Sequence, residues 1–299
     1  MKIKKAVITA AGYGTRSFPL TKTIQKEMIP LLNRPLIDYA VDDLIQAGVE
    51  EIIFVVKEGD TQLRHFYTES MEVKSYLKRM GKMDKYPQLE KLHTKTKFTF
   101  VEQKPSDPYG TATPLSLVKD YVIDEEAFFM FMGDNFIYNP DGSSEAVKMI
   151  DLFSKSQATS LAGFISKPRE LLYKYGVAET YEENGFNFLK GIIEKPKSGE
   201  EPSDLVNLSR YIFTPEVYEV LKDQKINSEH SELFITDTLT IQAELEKVVV
   251  YKSEAIYLDG GVLEEWLKAN LLLASQDQQL LASLKEYIKR NGEDYDKIR

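Results

Sequence analysis

The stretch from Val7 to Pro30, V-I-T-A-A-G-Y-G-T-R-S-F-P-L-T-K-T-I-Q-K-E-M-I-P, constrains the fold more than any other part of this chain. It begins within an apolar strand, K-A-V-I-T, and breaks at once into Ala10-Ala11-Gly12-Tyr13-Gly14-Thr15-Arg16. Small residues and glycines there let backbone N–H groups close on an anion, because no Cβ obstructs the approach. Arg16, Lys22 and Lys26 follow within one short loop. A strand running into a glycine turn with fixed cations suits a triphosphate. The same residues also suit an ordinary strand-to-helix turn with solvated charges. Two common phosphate loops are excluded. G-x-x-x-x-G-K-[ST] is missing, and Ser17 stands where the last glycine of the dinucleotide fingerprint G-x-G-x-x-G belongs.

The pattern beyond this loop alternates strand and helix. P-L-I-D-Y-A-V-D-D-L-I-Q-A-G reads as a helix closed by Gly48, and E-E-I-I-F-V-V as a strand buried on both faces. This β-α-β start implies a parallel sheet with a right-handed crossover. Residues 60–97 read as a helical insertion, and F-T-F-V-E-Q as the next strand. A turn-rich stretch from Lys104 to Gly110 leads into a helix over 113–121. A-F-F-M-F-M-G-D-N reads as a central strand ending at Gly133-Asp134-Asn135. A helix over 144–156 leads to the strand T-S-L-A-G-F-I-S. Residues 176–213 are β-rich, and 263–288 are helical.

Composition removes several classes of chemistry. There is no cysteine, so thiolate metal sites, cysteine nucleophiles and disulfides are out. His65, His93 and His230 share no metal-binding spacing. The absence of a G-x-S-x-G elbow argues against a serine hydrolase. A net charge of −9 at pH 7 argues against nucleic acid as a partner. No apolar run is long enough to span a bilayer and no signal peptide precedes the first strand, so the chain reads as cytoplasmic, with no membrane partner.

Three further places carry chemistry. Asp134 follows an apolar strand and a glycine, where a carboxylate can hold a hard cation such as Mg²⁺ or simply cap the turn. Asp259, in I-Y-L-D-G-G, repeats that context on a remote segment, and two such carboxylates can converge on one metal. In G-I-I-E-K-P-K, the apolar strand is expected to hold Glu194 and Lys195 fixed, Glu194 for sugar hydroxyls and Lys195 for a phosphate. A solvated surface hairpin is the alternative there.

Together these segments resemble the nucleotidyltransferases that join a nucleoside triphosphate to a sugar 1-phosphate. The resemblance runs from Lys5 to about Asn270. It rests on A-A-G-Y-G-T-R-x-x-P-x-T-K-x-I-x-K-E-M-I-P, R-P-L-I-D-Y-A-V-D-D-L-I-Q-A-G, Y-G-V, E-K-P-K followed by P-S-D-L, R-Y-I-F, and L-F-I-T-D-T-L. Within the family the chain is most similar to the bacterial enzymes that make UDP-glucose from UTP and glucose 1-phosphate.

The resemblance implies an α/β fold of the nucleotide-diphospho-sugar transferase type, a Rossmann-like mixed, mainly parallel sheet flanked by helices. Residues 1–270 would form the catalytic domain and 271–299 a C-terminal helical extension. Ala10, Ala11 and Gly12 would contact the nucleoside, and Gly14, Thr15 and Arg16 the triphosphate. Lys26 is expected on the phosphates, Glu27 and the Gly110 turn at the nucleoside, and Gln103 at the pyrimidine edge. Asp134 and Asp259 fall on Mg²⁺ positions, and Gly176, Glu194 and Lys195 on sugar-phosphate positions. Arg16, Lys26 and Lys195 would be catalytic. A homodimer or homotetramer is expected.

Three departures stand out. Gln25 replaces a usual proline, Ser209 a usual glycine, and Pro108-Tyr109-Gly110-Thr111-Ala112 the usual G-L-G-H-A. Pro108 has no N–H to offer a base, which leaves dTTP, GTP or ATP with glucose- or mannose 1-phosphate as the alternative. A catalytically silent regulatory homologue is the rival from another class.

Overall fold

The protein is described here by a computed structural model covering residues 1–226 and 232–295. His230 lies outside the described residues. The strands, in chain order, are β1 (Lys5–Ala10), β2 (Pro30–Leu31), β3 (Arg34–Pro35), β4 (Glu51–Lys57), β5 (Lys97–Gln103), β6 (Phe128–Met132), β7 (Asn135–Tyr138), β8 (Ser160–Ser166), β9 (Gly176–Glu183), β10 (Phe186–Glu194), β11 (Leu205–Phe213), β12 (Val248–Ser253) and β13 (Ile256–Asp259). Among the described residues, nine of them form one sheet in the order β5-β4-β1-β6-β11-β8-β12-β10-β9. β10 and β11 run against the other seven, so the sheet is mixed and mainly parallel.

Apolar side chains fill both faces. One layer joins Ile8, Phe54, Phe129 and Phe131 to Val41 and Leu44 of the helix Ile37–Gln46. The other joins Val7, Val55, Phe128 and Met130 to Leu115 and to Leu239 of the helix Ile235–Leu245. A strand buried on both faces has no polar side to show, which is why E-I-I-F-V-V and A-F-F-M-F-M read as continuous apolar runs.

Sequence and structure part in a few places. The central strand stops at Met132, and the chain turns through Gly133-Asp134 into β7, which leaves the main sheet to pair with β13. The helix expected over 113–121 is two short helices, Thr113–Leu117 and Lys119–Val122. Residues 235–245 form a helix that the sequence reading did not mark. Its run of Ile235, Thr236, Thr238, Thr240 and Ile241 is β-branched and a poor helix former. Packing of Ile235 and Leu239 against the sheet overrides that preference. The boundary drawn at residue 270 falls inside the helix Leu263–Gln276. The chain breaks instead at Asp277, whose Oδ1 accepts from the N–H groups of Gln279 and Leu280 to start the helix Gln278–Tyr295. Among the described residues no helix is long and apolar enough to cross a membrane.

Candidate active site

A cavity of about 440 Å³ opens at the carboxyl ends of β1 and β6 and beside the open end of the β9–β10 hairpin. Ligands of open α/β sheets bind at such strand ends, and the volume suits a small organic ligand. Its wall includes Ala11, Gly12, Arg16, Lys26, Glu27, Gln103, Gly110, Asp134, Gly176, Glu194 and Asp259. Residues from six separate stretches of sequence therefore meet in one place. Ala10, Gly14, Thr15 and Lys195 are not on this wall.

The loop after β1 shows why its small residues are needed. A Cβ on Gly12 would come within 3.0 Å of Lys26 Cε and Nζ, so glycine leaves room for that lysine to cross beneath the loop. Gly14 takes the left-handed conformation (φ 64°) and its carbonyl accepts from Thr21 Oγ1 at 2.7 Å. Ala10 is buried at the end of β1, where its carbonyl accepts from Gln25 Nε2 at 2.7 Å. Gln25, the departure from proline, thus ties the loop to the strand. Lys22 is exposed and lines a neighbouring cavity, so it is not one of the fixed cations expected here.

Lys26 and Asp134 form the centre of the wall, with Nζ donating to Oδ2 at 2.7 Å. Burial alone would push the Asp134 carboxyl up, but the ion pair with Lys26, aided by Arg16, holds it below the usual aspartate value. Burial would likewise push Lys26 down, and Asp134 and Glu27 raise it above the ordinary lysine value. Glu27 is buried, 3.6 Å from Lys26, with neither carboxylate oxygen hydrogen-bonded. Burial pushes its pKa up to about 7, against the pull of Lys26.

Asp259 is brought to Asp134 by the β7–β13 ladder. Asp259 pairs with Asn135, and the Gly260 N–H donates to the Asp134 carbonyl at 3.1 Å. Arg16 Nη1 donates to Asp259 Oδ2 at 2.8 Å, joining the glycine loop to this ladder. The two carboxylates expected to converge do line one cavity. Against Arg16, Lys26 and Lys174, the wall sets Glu27, Asp134, Glu194, Glu232 and Asp259. That surplus of carboxylate would repel a polyanion unless a cation came with it. Among the described residues no group of three or more metal-ligating side chains exists. One or two carboxylates with phosphate oxygens is the donor set Mg²⁺ prefers. The residues present therefore fit that ion.

The remaining expectations divide. Gln103, at the end of β5, donates weakly from Nε2 to the Pro108 carbonyl at 3.5 Å. Gly110 (φ 135°) lies so close to Leu233 that a Cβ would sit 2.3 Å from its carbonyl oxygen, which fixes glycine in this turn. Gly176 pairs with Glu194 across the hairpin end, and a Cβ there would meet Glu194 Oε2 at 2.9 Å. Lys195 departs from expectation. Its backbone is held, with N–H donating to the Tyr175 carbonyl at 3.0 Å and φ at 48°, but β10 has already ended and its side chain is 64% exposed. The strand fixes Glu194 at the cavity and leaves Lys195 at the rim. Sequence reasoning missed Lys174, Asn207 and Tyr257 on the wall. None has a spacing signal, and each arrives through the tertiary fold alone. Ser209 was noticed only as a departure. It occupies a left-handed position (φ 58°) on the same wall, which is why glycine is the usual residue there.

Known proteins share this fold and much of its length. UTP–glucose-1-phosphate uridylyltransferase from Bacillus subtilis is 28% identical over 289 residues, covering 96% of this chain and 97% of that protein. Its namesake from Staphylococcus epidermidis is 29% identical over 97% of this chain and 98% of its own length. Among solved structures, the UTP-bound UGPase from Acinetobacter baumannii superposes with a TM-score of 0.85 at 26% identity, covering 96% and 98% of the two chains. A UDP-glucose pyrophosphorylase complexed with UDP-glucose gives 0.80 at 29% identity, covering 92% and 100%. The sequence profile of the Nucleotidyl transferase family matches residues 5–276, from the first residue of β1 to the last of the helix after Asp259. With the glycine loop, the Lys26–Asp134 pair and the ladder-borne Asp259 in one cavity, this chain belongs to the nucleotidyl transferase family.

Proposed function

We propose that the chain transfers the uridylyl group of UTP to glucose 1-phosphate, releasing pyrophosphate and forming UDP-glucose. The observation that carries this reading is the meeting of Lys26, Asp134, Arg16 and Asp259 beneath a glycine loop, opposite Gly176 and Glu194, in one cavity. The relatives' names supply the substrates.

A phosphate oxygen of the sugar phosphate attacks the α-phosphorus in line, and the bond to the β-phosphate oxygen breaks, so pyrophosphate leaves with the electron pair. The nucleophile is already an anion and needs no general base. The obstacle is repulsion between two polyanions, so catalysis is positioning and charge stabilisation. Lys26, stiffened by Asp134, faces the transferring phosphates. Arg16 reaches the triphosphate from the loop, where exchange of its Asp259 partner for phosphate is open to it. Gln103 offers an amide donor and acceptor to the N3–H and O4 edge of uracil. Glu194 accepts sugar hydroxyls, and Lys195 meets the sugar phosphate from the rim. Asp134 and Asp259 would hold Mg²⁺, which when bound supplies positive charge to the phosphate oxygens.

One observation favours a second reading of the base. The Pro108 carbonyl, not an N–H, faces Gln103, and Tyr109 is exposed beside it. A turn with one donor fewer suits dTTP, GTP or ATP as the alternative nucleotide. The proposal includes a cytoplasmic enzyme acting as a homodimer or homotetramer. Exposed Leu263, Leu267 and Leu271 recur every four residues on one helix and supply an apolar stripe for self-association. Incubation with UTP and glucose 1-phosphate, with and without Mg²⁺, tests the reading through pyrophosphate release and the product's mass. UDP-glucose formed only with the metal supports it. Stoichiometric binding without turnover would indicate the silent homologue.

A further inference from the structure

Among the described residues Arg210 is the largest fully buried side chain, 2% exposed, and it is a cation packed on the ring of Phe131. Burial pushes its pKa below the ordinary arginine value, and its Nε has no hydrogen-bond partner. Asp43 and Asp134 lie within electrostatic reach, but its hydrogen bonds go to neutral carbonyls. A buried charge so poorly compensated costs stability, and an apolar side chain of similar volume is often as good or better. Stability alone does not account for it.

The geometry does. The register of β11 against β8 shifts between Asn207 and Tyr211, around Ser209 in its left-handed conformation. Within this irregularity, on the other edge of β11, Arg210 pairs with Phe131 of β6, and its guanidinium lies 4.4 Å from the Phe131 ring. Nη1 donates to the Met132 carbonyl at 2.7 Å and Nη2 to the Asn135 carbonyl at 3.3 Å. These two carbonyls bracket the Gly133-Asp134 turn. The turn is pinned elsewhere by the Gly133 N–H on the Thr9 carbonyl at 3.0 Å and by Gly260 on the Asp134 carbonyl. A planar fork with separate donors can span two carbonyls, whereas a lysine ammonium is a point charge on a flexible stem.

We propose that Arg210 is a positioning residue for nucleotidyl transfer: it clamps both sides of the turn that presents Asp134, and so sets how well that carboxylate binds a divalent cation. This rests on the reading of Asp134 as a metal ligand. Partners that orient a ligand in this way are worth roughly 10–100-fold in metal affinity.

The test is Mn²⁺ binding, followed by electron paramagnetic resonance, to the protein with UTP and no sugar phosphate. Wild type, Arg210→Met, Arg210→Lys and Asp134→Asn are compared, with thermal melts in parallel. The expected result is Mn²⁺ affinity weakened roughly 10–100-fold in Arg210→Met and less in Arg210→Lys. In steady state the half-saturating Mg²⁺ should rise while KM for glucose 1-phosphate holds. Should Arg210→Met not fold, Arg210→Lys carries the comparison. Wild-type Mn²⁺ affinity in a folded Arg210 variant, alongside a loss in Asp134→Asn, overturns the role of Arg210 alone. Unchanged affinity in Asp134→Asn overturns the metal-ligand reading and this inference with it.

Discussion

The two sides of the cavity solve the same backbone problem with different residues. On the side formed by the loops after β1 and β5, the left-handed positions are glycines, Gly110 (φ 135°) on the wall and Gly14 (φ 64°) in the loop behind it. On the side formed by β10 and β11 they are Ser209 (φ 58°) on the wall and Lys195 (φ 48°) at the rim. The lysines differ in the same sense. Lys26 has a side chain 21% exposed and bound to Asp134, whereas Lys195 is 64% exposed, 4.0 Å from Glu194. The Lys26 side is organised by its own ion pairs, and the Lys195 rim holds its backbone while its charged tip stays in solvent. Preorganised charge stabilises a transition state best, since nothing has to reorient during reaction.

If that contrast is sound, Lys26→Ala should produce the largest loss, about 10²–10³ in kcat, the scale for removing one fixed charge-stabilising group. Steady-state kinetics at saturating substrates measures it. The next effect is in stability and comes from Glu27. The folded protein keeps this proton up to about pH 7, whereas an unfolded glutamate releases it near 4.5. The wild type therefore loses stability as pH rises through that window and levels off above it. Glu27→Gln should remove the slope, matching the wild type near pH 4.5 and exceeding it at pH 8 by on the order of 3 kcal/mol. Urea denaturation across pH checks this, and parallel curves for the two proteins would place Glu27 in a wetter site than the structure gives it.

Lys195→Ala sharpens the comparison most directly. Its solvent-exposed charge should be worth roughly tenfold or less, seen mainly in KM for glucose 1-phosphate. A kcat loss equal to that of Lys26→Ala would erase the distinction between the two sides. Smallest is Ser209→Gly, which relieves a left-handed serine and should stabilise the fold by about 1 kcal/mol. Gly14→Ala, in the loop after β1, should destabilise by at least a similar amount, since a Cβ there also comes within 3.0 Å of Thr21 Cγ2. Melting temperatures that moved in the same direction would break the pairing.

Much of the Lys26 side of the cavity was legible in the sequence because its residues lie close together. Strand, glycines, Arg16 and Lys26 occupy one continuous segment, so local rules for turns and anion contacts apply. The two aspartates were legible from repeated context, a carboxylate at the end of an apolar strand. Their convergence was expected from that repeat, but its route was not, because it depends on β7 leaving the sheet to pair with β13. The Lys195 rim was harder. Whether Lys195 lies on β10 or just past it is one residue's difference, and that decides between a fixed side chain and a solvated one. Lys174 and Asn207 carry no motif. The helix Ile235–Leu245 was hidden by its β-branched residues, whose local preference loses to packing.

The most direct test of the account is a comparison of kcat/KM for UTP, dTTP, GTP and ATP, each with glucose-, galactose- and mannose 1-phosphate at saturating Mg²⁺. The account predicts the highest value for UTP with glucose 1-phosphate, with the gap to the purine nucleotides narrowed in Gln103→Ala. A wild-type preference for GTP or ATP would contradict the uridylyl assignment, and no pyrophosphate release from any pair would contradict nucleotidyl transfer itself.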